Sequence, residues 1–137
     1  MNTKLNVLIV EDEAPLSKIL QETLTEHGFQ VDVAGHGEEG WHKAREHRPD
    51  LILLDIIMPK LDGFVFLKRL RGAKKLASVP VIILSNLGQE SDINEAKELG
   101  AIDYLIKSNH TIEAIAQRVE QLLSQSNSEL QSESKVS

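Results

Sequence analysis

Hydrophobic residues along this chain fall into two alternating patterns: short, nearly unbroken runs, and stripes at spacings of three and four. The runs are Leu5-Asn6-Val7-Leu8-Ile9-Val10, Leu51-Ile52-Leu53-Leu54, Pro80-Val81-Ile82-Ile83-Leu84 and Tyr104-Leu105-Ile106. Runs of this kind predict strands buried on both faces of a parallel sheet. Gln30-Val31-Asp32-Val33-Ala34 alternates polar and apolar instead, as a half-exposed edge strand does.

The stripes lie between the runs. Pro15 suits a first helical turn, Leu16, Ile19, Leu20 and Leu24 follow at helical spacing, and Gly28 is a natural stop. A second helix is predicted from about Glu38 and ends before Pro49, because the residue preceding a proline is pushed out of the α region. Asp62-Gly63 has the look of a hairpin turn, but Phe64, Leu67 and Leu70 after it make it a helix start. A weaker helix is predicted from about Asp92 to Leu99, stopping at Gly100, and Ile112, Ile115, Val119, Leu122 and Leu123 form the last stripe. Strand and helix alternate five times, which predicts an α/β fold, a doubly wound five-stranded parallel sheet with helices on both faces.

From about Gln125 the chain becomes rich in Ser, Gln and Glu with almost nothing apolar to bury. The predicted division is a folded domain over residues 1–124 and a disordered polar tail over 125–137. A chain of 137 residues has room for one such core and no second catalytic or DNA-binding domain. No apolar run is long enough to span a bilayer, and Met1-Asn2-Thr3-Lys4 leads straight into a strand without a signal-peptide core, so the cytoplasm is the expected compartment. The absence of cysteine excludes disulfides, thiol nucleophiles and zinc-thiolate sites. A net charge of −6 argues against direct binding of nucleic acid. Lys68, Arg69, Arg71, Lys74 and Lys75 do cluster, and are read as a solvated helix face and its following loop.

Candidate chemistry gathers where the runs end. Four of them terminate in Glu11-Asp12, Asp55, Ser85 and Lys107. An acidic residue closing a buried strand is costly to desolvate unless it faces a crevice, and open α/β sheets form their crevice at the carboxyl ends of the strands. With strand order 2-1-3-4-5, Asp12 and Asp55 end neighbouring strands about 5 Å apart, Ser85 lies one strand further, and Lys107 reaches in from two strands away. Clustered carboxylates repel unless a cation joins them, and Mg²⁺ prefers a few carboxylates plus water. A metal, an ammonium and a hydroxyl donor together can hold a phosphoryl group and stabilise its in-line transfer. The nucleophile placed to receive it is the carboxylate of Asp55.

Val10-Glu11-Asp12-Glu13, Leu54-Asp55 with Met58-Pro59 and Asp62-Gly63, Leu84-Ser85, Gly100-Ala101 and Tyr104-Leu105-Ile106-Lys107 occur in order over about residues 4 to 124. In these pieces the chain resembles the receiver domain of two-component response regulators, in the single-domain, chemotaxis-regulator manner. The resemblance implies a flavodoxin-like fold and a phospho-acceptor at Asp55, loaded by a histidine kinase or phosphotransfer protein. It implies Mg²⁺ held by Asp12, Asp55 and the backbone carbonyl of Ile57, with Glu11 assisting. It also implies that Ser85 and Lys107 contact the phosphoryl group and that Tyr104 is a switch aromatic. The expected output is a change in the face formed by the fourth helix, fifth strand and fifth helix, read by a downstream protein. Ser85 would be drawn to the phosphoryl oxygens and Tyr104 would rotate into the space it leaves.

Two departures stand out. The acidic pair is Glu-Asp where Asp-Asp is also common, and Ser108 stands where the family usually has a proline after a cis bond. A non-proline cis bond costs roughly 3 kcal/mol, so this loop is either strained or delivers Lys107 through a trans bond. Ile57 and Leu87 flank the site and are apolar, so neither side chain can activate a hydrolytic water, and a slowly decaying phosphoryl group is expected. Gly35-His36-Gly37-Glu38-Glu39-Gly40 imitates a dinucleotide fingerprint. Two glutamates where a pyrophosphate must sit, after the second strand instead of the first, make it a turn and helix start. The five histidines show no metal spacing, and Trp41 is read as packing. The alternative functions are a phosphorelay intermediate and a receiver-like interaction module that works without phosphorylation. A flavin- or nucleotide-binding protein of similar fold lacks a phosphate-cradling loop here.

Overall fold

The computed structural model describes residues 4–58 and 62–136, with side chains through Ser124. Among these residues five strands and five α-helices alternate: β1 (Asn6–Val10), α1 (Ala14–Glu26), β2 (Gln30–Ala34), α2 (Gly37–Glu46), β3 (Leu51–Leu54), α3 (Gly63–Gly72), β4 (Val81–Ser85), α4 (Glu90–Glu98), β5 (Asp103–Ile106) and α5 (Ile112–Val136). A single 3₁₀ turn, Lys107–Asn109, links β5 to α5. The strands form one parallel sheet in the order β2-β1-β3-β4-β5, the flavodoxin-like order the alternation and the resemblance predict.

The runs are unbroken because β1, β3 and β4 are covered on both sides. Side chains alternate between faces along a strand, so Leu8, Val10, Ile52, Leu54 and Ile83 pack with Phe66, Leu67 and Leu70 of α3 on one side. Val7, Ile9, Leu51, Leu53, Ile82 and Leu84 pack with Leu20 and Leu24 of α1 and Ile115 and Val119 of α5 on the other. β2 lies at the sheet edge, which is why its pattern alternates. Trp41 is half-buried against the first of these cores, its ring edge-on to Phe66 at 6.3 Å.

Local chemistry fixes the helix starts. The side chain of Asp62 accepts from the Val65 N–H and caps α3. α2 begins at Gly37 and α4 at Glu90, one and two residues earlier than periodicity predicts. Both first turns carry acidic residues that suit the positive end of a helix, and only Ala96 of α4 is buried, so its stripe was too thin to mark the start.

Helix α5 runs on to Val136, through the stretch where composition predicts disorder beyond residue 124. That stretch contains neither Gly nor Pro, and its Gln and Glu residues are good helix formers. Pro59, part of the Met58-Pro59 pair, lies outside the described residues. No helix of the described residues is long and apolar enough to cross a membrane.

Candidate functional site

Register brings the strand-end residues to one rim. Val10 pairs with Leu54 across β1 and β3, and the Asp55 N–H donates to the Val10 carbonyl at 3.0 Å. Glu11 and Asp55 therefore leave neighbouring strands side by side. Ser85 ends β4 opposite Ile106 of β5, the residue before Lys107. The start of α3 presses on this rim. A Cβ on Gly63 would sit 2.6 Å from the Asp55 carbonyl oxygen and from the Ile56 Cα, so the helix approaches this closely because the residue is glycine.

Three of the five rim side chains are buried: Glu11, Asp55 and Ser85 are 3%, 5% and 0% exposed, while Lys107 is half-buried and Asp12 faces solvent. Carboxylate oxygens of Glu11, Asp12 and Asp55 lie within 4.8 Å of one another. The ammonium of Lys107 sits 3.0 Å from Asp55 Oδ2 and 2.7 Å from Glu11 Oε1, with Glu13 Oε1 further off at 3.6 Å. The Ile57 N–H donates to Asp55 Oδ1 at 3.2 Å, and the Ile57 side chain is 58% exposed beside it. Ser85 Oγ accepts from the Leu87 N–H at 3.2 Å. Tyr104 is half-buried and donates its hydroxyl to the Leu87 carbonyl.

The charges at the rim do not balance. Burial pushes the Glu11 carboxyl up to about 7, opposed by Lys107 and the Glu13 N–H and reinforced by the negative charge of Asp55. Burial alone would lower the Lys107 ammonium, but Glu11 and Asp55 hold it above its ordinary value. One ammonium thus serves two buried carboxylates. Glu11 Oε1, though in ion-pair range of Lys107, receives no well-directed hydrogen bond. An all-oxygen donor set with a surplus of negative charge and an unsatisfied buried oxygen fits a hard divalent cation.

Peripheral groups turn out to be structural. The imidazole of His36 accepts from Glu39 N–H at α2's start, and Glu39 reaches back to accept from Gly35 N–H. Two amides of the apparent dinucleotide fingerprint, those of Gly35 and Glu39, are thus already bound to side chains. His27 contacts Glu120 and Glu113 of α5, and the acidic trio at the rim is the one group of potential metal ligands among the described residues.

Lys68, Arg69, Lys74 and Lys75 are exposed as read, but Arg71 is not a solvated charge. Its guanidinium donates to the carbonyls of Leu99, Ala77, Val79 and Gly100 at 2.8–3.2 Å. Spacing along α3 could not reveal this, because the acceptors lie outside the helix, in the segment after it and at Leu99 and Gly100. Two residues near the rim also escaped the sequence reading. Glu13 lies near Lys107, and Asn86 accepts from the Ser108 N–H. No peptide bond of the described residues is cis, so Lys107 and Ser108 are joined by a trans bond.

With this geometry in view, known proteins can be set beside it. Residues 7–120 match the family model described as response regulator receiver domain. The transcriptional regulatory protein CusR of Escherichia coli K12 is 41% identical over 119 residues, covering 87% of this chain and 51% of its own length. The alkaline phosphatase synthesis transcriptional regulatory protein PhoP of Bacillus subtilis is 39% identical over 126 residues, covering 88% and 51%. The chain spans about half the length of these curated relatives. Among solved structures, the chemotaxis protein CheY4 of Vibrio cholerae superposes with a TM-score of 0.81 at 28% identity, covering 87% of this chain and 98% of its own.

Proposed function

We propose that this chain, which belongs to the response regulator receiver domain family, takes a phosphoryl group onto Asp55 from a histidine kinase or phosphotransfer protein in the cytoplasm. The change is then passed to a downstream protein through the face made by α4, β5 and α5. The observation that carries this reading is the buried Asp55 carboxylate with the Lys107 ammonium at 3.0 Å and carboxylates of Glu11 and Asp12 beside it.

In the step proposed, an oxygen of Asp55 attacks phosphorus, the bond from phosphorus to the donor histidine nitrogen breaks, and the imidazole leaves with the electron pair. Lys107 pairs with the negative charge that gathers on the phosphoryl oxygens, and Ser85 turns its hydroxyl from the Leu87 amide to donate to one of them. The Ile57 N–H holds the acceptor carboxylate in place. Glu11, Asp12, Asp55 and the Ile57 carbonyl would hold Mg²⁺, which when bound neutralises the clustered carboxylates and the transferring oxygens. The exposed Ile57 and half-buried Leu87 are apolar, so neither can activate water against the acyl phosphate.

The signal leaves through Leu87. Its amide touches Ser85 and its carbonyl touches Tyr104, so a shift of Ser85 toward a phosphoryl group biases the ring on β5. A local charge change thereby shifts a two-state population. A capture experiment tests the proposal, comparing the chain treated with beryllofluoride and Mg²⁺ against its Asp55→Asn form. The proposal expects a protein retained by the treated chain and released by the variant; equal retention by both would favour an interaction module independent of phosphorylation.

A further inference from the structure

Ser108 brings a backbone N–H to the turn that delivers Lys107. This donor has Asn86 Oδ1 as its acceptor at 3.2 Å, in a bond between two exposed residues. Asn86 is the residue between Ser85 and Leu87. Three consecutive residues of the loop after β4 thus hold three different things. Ser85 ends at the phosphoryl site, Asn86 grips the lysine turn, and Leu87 accepts from Tyr104. The next residue confirms how closely loop and turn approach: a Cβ on Gly88 would lie 3.1 Å from Cδ1 of Ile106, immediately before Lys107.

Within the turn itself the other ties are few. The Ile106 side chain, at the start of the 3₁₀ turn, offers no cap. The His110 N–H reaches the Lys107 carbonyl only at 3.5 Å, and His110 Nδ1 lies 3.0 Å from the Ile106 carbonyl. Lys107 must carry its ammonium across β4's end to Asp55, so small rotations of this turn displace the charge by more than the tolerance of a good ion pair.

We propose that Asn86 is a positioning residue for phosphoryl capture: through the Ser108 N–H it fixes the turn that aims Lys107 at Asp55, and couples that turn to the loop bearing Ser85. This inference rests on Asp55 being the acceptor. Among the described residues the side-chain hydrogen bond of Asn86 is to the Ser108 N–H and not to the acceptor or a proposed metal ligand, so its loss acts through the lysine turn and its tie to Ser85.

The test is a double-mutant cycle on the full chain with Asn86→Ala, which removes the acceptor, and Ser108→Pro, which removes the donor. Phosphorylation by acetyl phosphate is followed by intact mass at saturating donor and Mg²⁺, with folding checked by circular dichroism. Losing one neutral hydrogen bond lowers the saturating rate about two- to tenfold in either single variant, and the double variant is no slower than the slower single. The Mg²⁺ concentration for half-maximal rate stays unchanged, which a general loosening of the site would not allow. In the unphosphorylated protein, hydrogen exchange at the Ser108 amide is slow in wild type and fast in Asn86→Ala.

An Asn86→Ala rate equal to wild type, effects that multiply in the double variant, or a Ser108 amide equally protected in both proteins overturns the inference. Failure of wild type itself to accept phosphate overturns the Asp55 reading, and this one with it. The amide exchange still reports whether Asn86 holds the turn.

Discussion

The hydroxyl of Tyr104 donates to the backbone carbonyl of Leu87 at 2.5 Å, fastening the β5 ring to the loop that follows β4. Rotation of this ring into space left by Ser85, the movement expected on phosphorylation, would act on that bond. In the structure the ring is half-buried against the core on the α3 side of the sheet, and Ile83 is the register partner of Tyr104 on β4. On the proposal above, the switch strengthens or releases a bond that exists, at Leu87, which hydrogen-bonds to both Ser85 and Tyr104.

Tyr104→Phe keeps the ring and removes that bond. A net contribution of about 0.5–1.5 kcal/mol shifts a two-state equilibrium roughly two- to tenfold, while leaving capture of phosphate at Asp55 intact. Amide chemical shifts on adding beryllofluoride and Mg²⁺ give the readout. Wild type should show changes reaching α4 and α5, and Tyr104→Phe and Tyr104→Ala should show them confined to the loops around Asp55. An equally wide response in Tyr104→Ala would remove Tyr104 from the pathway.

Decay of the phosphorylated form should be slow, because the flanking side chains of Ile57 and Leu87 are apolar and carry no group that can orient water. Ile57→Asn supplies one at an exposed position and should shorten the lifetime without touching the core. The lifetime is followed by intact mass after removal of the phosphate donor. A wild-type form that empties within seconds contradicts the prediction, as does an unchanged lifetime in the variant.

Gly100 and Arg71 should prove mutually dependent. Gly100 has φ of +92°, and a Cβ there would lie 2.6 Å from the Arg71 Nε. Left-handed backbone costs a residue with a side chain about 1–2 kcal/mol, and displacing Arg71 leaves loop carbonyls without their donor. Gly100→Ala should therefore lower the urea midpoint by more than the backbone cost alone, and in an Arg71→Met background it should cost less. Equal costs in both backgrounds would show that the two positions act separately.

His27 gives the fold a predictable pH dependence. It is held above its ordinary value chiefly by Glu120, at 2.5 Å, against the opposing effect of burial, with Glu113 adding at 2.8 Å. A raised folded value means that the bridge from α1 to α5 contributes its full stability below the unfolded value near 6.5, and loses it as pH rises through the folded value. Both glutamates are more than half exposed, so each pair is worth only about 0.2–1 kcal/mol. The gap in urea midpoint between wild type and His27→Gln should be widest near pH 5.5 and close by pH 9. A gap that widens with pH has the wrong sign for this bridge.

How much of this could be read from the chain depended on the range of the interaction. Leu51-Ile52-Leu53-Leu54 declared a central strand because burial on both faces leaves no polar position, and Glu11-Asp12, Asp55, Ser85 and Lys107 could be placed on one rim from strand order, although the register sets Glu11 and not Asp12 beside Asp55. Arg71 was misjudged because its acceptors at residues 77, 79, 99 and 100 come from segments that only folding brings together. Asn86 was invisible for the same reason: its partner is a backbone N–H with no signature of its own. The α4 start was obscured by an almost wholly exposed helix. The continuation of α5 was hidden because a polar sequence with nothing to bury carries no periodicity, even where no residue forbids a helix.

The claim on which the rest depends is that Asp55 takes up the phosphoryl group with Lys107 beside it. Intact mass spectrometry of the chain after incubation with acetyl phosphate and Mg²⁺ tests it, with Asp55→Asn and Lys107→Ala measured alongside. The account predicts a gain of one phosphoryl group in wild type, none in Asp55→Asn, a much slower gain in Lys107→Ala, and none in any of them when the metal is chelated. A wild-type chain whose mass does not change, or an Asp55→Asn chain that gains the group as readily, would contradict it.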